Sequence, residues 1–291
     1  MLKLIAFILM TIDHMAWLWP HIIPYQVSYI LRLICRLAFP LFVYDCVLGL
    51  RRTRSIPKYL SRLAILAVIS QICIHLCYVK LNVTDFEGFV NIFFSLFFGL
   101  IFIMAIDLLL ACLLRLKVIK SLPFELFHYK NFKLWHGLLN SLHSKKKSTL
   151  AAILFFSLVI VITCPIIVFI IHCDYSFFGL ILFVCLHYLV YAKGAFSAEL
   201  SQVELKNKVP AYILYLAIVF GIYLGIADYL LPRLGVTAFM FGDLQTCVIF
   251  SPYLFPLAAK SKKPKRWLSR LLYFYYPLHL VLISIVRYLT I

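Results

Sequence analysis

The sequence predicts an all-α fold, a polytopic bundle of about nine membrane-crossing helices with the N-terminus on the cytoplasmic side. Three observations carry that expectation. Hydrophobic residues make up 64% of the 291 and the mean hydropathy is +1.00, whereas an ordinary soluble domain is roughly 45–50% apolar. Charged residues are only 13%, against about 25% in soluble chains. The charges that remain gather in clusters between long apolar runs. A soluble core could not hide that much apolar surface, and a lipid solvent removes the need to.

A span takes about 20 mostly apolar residues. The first candidate is 2–20, which opens on a single lysine. No small-residue cleavage site follows and Asp13-His14 interrupts the run, so it reads as a retained span. The next are 25–50, 57–79, 89–114 and 149–171, followed by the short run 175–192. Three more, 210–231, 237–258 and 268–289, complete the set. There is no internal repeat, and the chain reads as one domain over 1–291.

Orientation follows from the Lys/Arg bias. Arg51, Arg52, Arg54 and Lys58 lie between the second and third spans, and Arg115, Lys117, Lys120, Lys130, Lys133 and Lys145 to Lys147 between the fourth and fifth. Lys193, Lys206 and Lys208 follow the sixth, and Lys260 to Arg270 follow the eighth. The alternate connections hold little beyond Lys80 and Arg233, with Asp85, Glu87 and Asp174. Every second connection is therefore basic, and a single false span would scramble that parity. Trp17, Trp19, Trp135 and Trp267 fall at span ends, where tryptophan favours the interface. The basic connection 116–148 carries Phe127, Phe132, Trp135, Leu138 and Leu142 among polar residues and reads as an amphipathic helix on the inner surface.

The net charge of +17 is accounted for by these inner clusters, so nucleic acid is not expected as a partner and the lipid bilayer is. Nine cysteines are present and none forms a C-x-x-C pair. An odd count rules out complete internal pairing. Cys73 and Cys77 flank His75 at helical spacing, but free cysteine is ordinarily a small buried hydrophobe, and no metal is expected.

Ionisable groups inside spans cost about 2.5–3.5 kcal/mol each at the centre, so each is a functional candidate. His14 lies about 18 Å along the first span and His279 about 17 Å along the last, both counted from the inner face at 1.5 Å per residue. Arg32 and Arg36 enter the second span from the outer side on one helical face, and Asp13 is the carboxylate nearest in depth. Adjacent helical residues point about 100° apart, so Asp13 suits anchoring an arginine better than touching the ring of His14. Gln71, Asn91 and Ser95 add neutral polar groups in the outer halves of the third and fourth spans. Asp45 and Asp107 lie toward inner ends and are expected to pair with cationic loops.

These residues also carry a family resemblance. The opening LKLIAFILMTIDHM and the block from Arg32 to Gln71, RLICRLAFPLFVYDCVLGLRRTRSIPKYLSRLAILAVISQ, resemble the TraX family of conjugative-pilus acetylases. NIFFSLFFGL at 91–100, DYSFFGLIL at 174–182 and RLLYFYYPLHLVL at 270–282 follow in family order. The family usually has glycine two residues after the Asp-His pair, where this chain has Ala16, and after the Asp-Tyr pair, where it has Ser176. Its Asn-Gly-Lys-Arg-Gly turn before the last span is replaced here by the lysine-rich 260–266.

The resemblance implies transfer of an acetyl group from cytoplasmic acetyl-CoA to the N-terminal amine of a pilin-like or exported peptide at the cell's inner membrane. It implies His14 as the catalytic residue. Arg32, Arg36, Asn91, Ser95, Asp174, Tyr175 and His279 match the family's motifs.

Acetyl transfer to an amine needs a neutral amine, a polarised carbonyl and a base. Histidine, with an unperturbed pKa of about 6.5, supplies the base or carries the acetyl group itself. Arg32 or Arg36 would steady the oxyanion, with Asp13 holding them, while Gln71, Asn91, Ser95, Asp174, Tyr175 and His279 would line the substrate cavity. Arg51, Arg52 and Arg54 offer cations for the phosphates of coenzyme A. Three other readings stay open: O-acetylation of an envelope glycan, a transporter, or a non-catalytic assembly factor. Transporters often show repeats and broken helices, and in an assembly factor the polar groups would be packing glue.

Overall fold

A computed structural model describes residues 2–19, 22–81, 90–119, 142, 145–189, 202–224, 233, 243–256 and 266–290. The described part is helical. In chain order it contains α1 (Leu2–Leu18), α2 (Tyr25–Cys35), α3 (Ala38–Arg52), α4 (Ile56–Leu81), α5 (Ile92–Arg115), α6 (Lys147–Ile170), α7 (Ser176–Leu189) and α8 (Gln202–Leu224). A 3-10 helix at Asp243–Tyr253 and α9 (Arg266–Thr290) follow. Among the described residues there is no strand, only an isolated bridge between Val90 and Cys173.

Each apolar run of the sequence overlaps one of these elements, with two differences. The run 25–50 is two helices rather than one, separated at Arg36 and Leu37. The run 237–258 is 3-10 where it is described, and its i→i+3 pattern continues in the Leu254 N–H to Ser251 and Phe255 N–H to Pro252 carbonyl bonds, at 3.0 and 3.3 Å. Most of the connection 116–148, with its expected surface helix, lies outside the described residues.

Four described stretches are long and apolar enough to cross a membrane: Tyr25–Leu50, Ile56–Leu76, Ile92–Arg115 and Lys147–Ile170. Ser176–His187, Val209–Tyr223 and Phe274–Leu289 are shorter apolar helices. The α6 helix makes the solvent argument sharpest. Its mean hydropathy reaches 3.1 over a window that is only 17% buried. Phe155, Phe156, Ile162, Ile166 and Ile170 all point outward. Each such side chain would cost roughly 1.5–3 kcal/mol in water. The protein is a helical membrane protein.

The chain packs as two compact units. The first comprises Met1–Asp45, Ile72–Val83 and Leu200–Ile291. In it α1 packs against α2 and α9, and the 3-10 helix against α2 and α8. Phe7 stands edge-on to both Phe42 and Tyr275, with ring centroids 5.1 and 5.2 Å apart. Tyr44 stacks on Phe255 at 4.3 Å.

The second unit comprises Cys46–Gln71 and Thr84–Glu199. Here α5 packs against α6 and α7. Close approach is possible because Gly99 of α5 faces Phe183 of α7, which is fully buried. At the corner between α3 and α4 the Tyr59 hydroxyl donates to the Cys46 carbonyl at 3.2 Å.

Both α5 and α6 end with the N–H pattern of a Schellman motif, yet neither uses glycine at the left-handed position. Lys117 (φ 60°) and His172 (φ 49°) stand there instead. Val118 and Lys117 donate to the Leu113 and Leu114 carbonyls, and Cys173 and His172 to those of Val168 and Phe169, at 3.0–3.1 Å throughout. The chain from α6 into α7 then passes through Tyr175 and Ser176, also at positive φ, 63° and 33°.

Candidate functional site

In the first unit α1 presents two adjacent polar residues to different neighbours, as their 100° separation requires. Asp13 faces α2. Its carboxylate lies 3.7 Å from Nε of Arg32 and 4.0 Å from a terminal nitrogen of Arg36. Arg36 is buried, at 6% exposure, and caps the C-terminal end of α2. The four-residue spacing of the arginines brings both guanidiniums to one carboxylate.

His14 faces α9. Its Nδ1 lies 3.1 Å from Nε2 of His279, with ring centroids 5.2 Å apart. The other ring nitrogen of His279, Nδ1, donates to the Tyr275 carbonyl one turn earlier, at 3.1 Å. Tyr275 stacks flat on His279, 5.3 Å away and 4° from parallel. Its hydroxyl pairs with that of Thr11 at 2.8 Å. Tyr276 stands edge-on to both histidine rings, 6.3 Å from His14 and 5.2 Å from His279. His279 is 3% exposed, while His14 is only partly buried. Arg36 and Arg32 lie close enough to act on the charge of His14. Asp13, His14, Arg32, Arg36 and His279 thus form one polar cluster, with Tyr275 and Thr11 added to it. Near the start of α1, Lys3 pairs with Asp45 at 3.0 Å.

Gln71, Asn91, Ser95, Asp174 and Tyr175 belong to the second unit. Asn91 caps α5, its side-chain oxygen accepting from the Phe93 N–H at 3.0 Å. Its amide nitrogen donates to the Ala67 carbonyl at 2.8 Å and to Gln71 Oε1 at 2.9 Å, and its backbone N–H donates to the same Gln71 oxygen at 2.9 Å. One turn on, the Ser95 hydroxyl donates to the Asp174 carbonyl. The Asp174 N–H in turn donates to Val90 at 2.9 Å, and Val90 to His172 at 3.2 Å. Gln71, Asn91, Ser95 and Asp174, with Val90, tie the start of α5 to α4 on one side and to the α6–α7 turn on the other, and Tyr175 stays within that turn, its carbonyl accepting from Gly179 at 2.8 Å.

Arg51 and Arg52 close α3 and Arg54 stands exposed in the short turn to α4, with Lys58 exposed one turn later. The turn is fastened by Thr53, whose hydroxyl accepts from Ser55 N–H at 3.3 Å. Among the described residues no three His, Cys, Asp or Glu side chains are grouped to hold a metal ion.

Two partners escaped the sequence reading. Tyr275 sits four residues before His279, so the helical spacing was a signal that the aromatic would share its face. Asp107 pairs with His187 of α7, whose Nε2 is 3.0 and 3.2 Å from the two carboxylate oxygens, rather than with a cationic loop. Nothing in the sequence marks that pair across 80 residues.

A family model described as "TraX protein" matches residues 1–287. No curated protein matches the chain, and no solved structure does.

Proposed function

The chain belongs to the TraX family, and from that membership we propose that it is a multi-pass inner-membrane acetyltransferase that moves an acetyl group from cytoplasmic acetyl-CoA to the N-terminal amine of a pilin-like or exported peptide. Membership fits a function tied to conjugation and its pilin. The observation that carries the reaction is the pairing of His14 with His279 beside the Asp13–Arg32–Arg36 cluster. Imidazole and guanidinium side by side are what acyl transfer needs. The imidazole takes the amine's proton, and a guanidinium offsets the negative charge that gathers on the carbonyl oxygen. Asp13 holds the two arginines against their mutual repulsion. Nine crossings with the N-terminus inside would put the Arg51–Lys58 corner in the cytoplasm. The exposed Arg54 and Lys58 of that corner suit the phosphates of the donor.

The test is His14→Ala. Membranes holding matched amounts of wild-type and variant protein receive labelled acetyl-CoA, and mass spectrometry locates the label. Loss of a general base lowers the rate by about 10²–10⁴, and loss of a covalent carrier abolishes it. Near-normal transfer by a folded His14→Ala protein refutes the role of His14, and no label transferred by the wild-type protein refutes the acetyltransferase reading.

A further inference from the structure

We propose that His279 is a positioning residue that holds His14 in one tautomer, with the lone pair of His14 on Nε2. The proposal rests on the acetyl-transfer reading of His14 and adds a fixed proton order to it. The order follows from donors and acceptors alone. A backbone carbonyl can only accept, so in the 3.1 Å contact between His279 and Tyr275 the proton lies on Nδ1 of His279. A neutral imidazole protonated at Nδ1 has its lone pair at Nε2. That Nε2 lies 3.1 Å from Nδ1 of His14, so His14 is the donor there. The Met10 carbonyl, one turn before His14 on α1, also accepts from its ring, so the Nδ1–H is shared between that carbonyl and His279 and the lone pair is left on Nε2.

The surroundings hold the relay in place. The His279 ring lies flat on Tyr275 and edge-on to Tyr276. Tyr275 is fastened to α1 through Thr11. Thr11 and His14 are three residues apart and share a helical face, so α9 grips α1 at two points on that face. The flipped ring of His279 would turn a carbon toward His14 and lose both hydrogen bonds.

In the reaction the amine nitrogen forms its bond to the acetyl carbon as the carbon–sulfur bond of the thioester breaks. The amine's surplus proton passes to Nε2 of His14 and from there to the departing thiolate. The products are an amide and a free thiol. When Nε2 takes the proton, the Nδ1–H···Nε2 bond to His279 becomes charge-assisted, which roughly doubles its strength. His279 therefore steadies the imidazolium without carrying charge itself. The other tautomer would present an N–H to the amine and accept nothing. A wrong tautomer in a serine protease costs about 10⁴ in rate. The partners that orient metal-ligating histidines are worth about 10–100-fold, and a loss of that size is expected here.

Two measurements test the inference. In the first, wild-type protein labelled with ¹⁵N-histidine is reconstituted in lipid, and nitrogen shifts report which ring nitrogens carry protons. The His14 signals are identified by their loss in His14→Asn. A protonated Nδ1 and bare Nε2 on His14 are expected, and the reverse overturns the proposal. In the second, His279→Leu removes the acceptor on α9 and leaves His14 only the Met10 carbonyl of its own helix, while His279→Gln keeps an acceptor on α9. With acetyl-CoA as the varied substrate, kcat should fall about 10–100-fold for leucine, with KM unchanged, and within about fivefold for glutamine. Equal losses in the two folded variants overturn it. If both variants fail to fold, the wild-type spectrum still decides. Full transfer by His14→Ala would remove His14 from the reaction and leave the acetyl-transfer reading intact, while the tautomer measurement would stand on its own.

Discussion

Asp13→Asn removes the one negative charge from a group that holds two positive ones. Asp13, Arg32 and Arg36 sum to +1 in the native chain and to +2 in the variant. The carboxylate lies 3.7 and 4.0 Å from the two guanidiniums, and the side chains of Asp13, Arg32 and Arg36 are 19%, 21% and 7% exposed. Each attraction is worth about 4 kcal/mol at such distances and an effective dielectric near 20, before desolvation is subtracted. Arg36 is the buried member, and leaving a buried charge without its partner costs about 3–5 kcal/mol net. Arg32→Met should cost far less, on the order of 1 kcal/mol, because it takes away the more exposed cation and leaves Asp13 and Arg36 balanced. The folded fraction should thus fall by two orders of magnitude or more for Asp13→Asn and by less than about tenfold for Arg32→Met, at 1.4 kcal/mol per decade. The chain supplies its own reporter. Cys35, Cys46, Cys112, Cys164, Cys173 and Cys185 are buried and free, so a fluorogenic maleimide reacts as the protein unfolds in detergent. Combining Arg32→Met with Asp13→Asn returns the group to +1 and should recover part of the loss. Equal midpoints for the two single variants, or a larger loss for Arg32→Met, would refute the charge argument.

Three further outcomes follow from the packing and the topology. A β-carbon on Gly99 would clash with the edge of the buried Phe183 ring, against Cδ2 and Cε2 and 2.7 Å from Cγ, so Gly99→Ala should lose about 1–3 kcal/mol, and adding Phe183→Leu should return part of it; an unchanged melting curve for Gly99→Ala contradicts that contact. Asn91→Ala removes the cap of α5 together with the side-chain donor to Gln71 and to the Ala67 carbonyl and should cost about 1–2 kcal/mol for the cap alone, read as earlier labelling of Cys173. Single cysteines placed at Ser144 and Asp85 in a chain stripped of its own cysteines should label from opposite sides of the membrane; labelling from one side would break the nine-span topology.

Hydropathy revealed where helices lie because lipid sets one rule for every span: apolar outside, backbone satisfied within. The polar cluster of α1, α2 and α9 was legible for the same reason. A charge in hydrocarbon needs a partner, and Asp13 was the carboxylate at the depth of Arg32 and Arg36. Spacing of four put those arginines together, and the 100° step kept Asp13 off the ring of His14. Hydropathy could not tell which span touches which. The division into two units leaves no mark in it, since every span is apolar on most faces. His279 could be placed by depth, but its bond to His14 depends on α9 packing beside α1, which no local pattern encodes. The same limit hid Asp107 and His187, which meet only because α5 packs on α7. The break at Arg36 and Leu37 was legible and missed: Pro40 has no N–H for the Arg36 carbonyl four residues earlier and its ring crowds that carbonyl, which interrupts the helix there.

The turn from α6 to α7 has a consequence for how this chain tolerates change. The family's usual glycine after the Asp-Tyr pair is Ser176 here, at φ 33°, directly after Tyr175 at 63°. A β-carbon in the left-handed region costs about 1–2 kcal/mol, so the turn is not one its own residues favour. It is moulded from outside. Val90 gives and takes a backbone hydrogen bond with it, and Ser95 holds the Asp174 carbonyl, at about 1 kcal/mol net per bond. The template for the turn therefore resides at the entrance to α5, some 80 positions earlier in the chain. Residues within the turn can drift away from glycine while that entrance stays intact, whereas a change at Ser95 would release a distant loop.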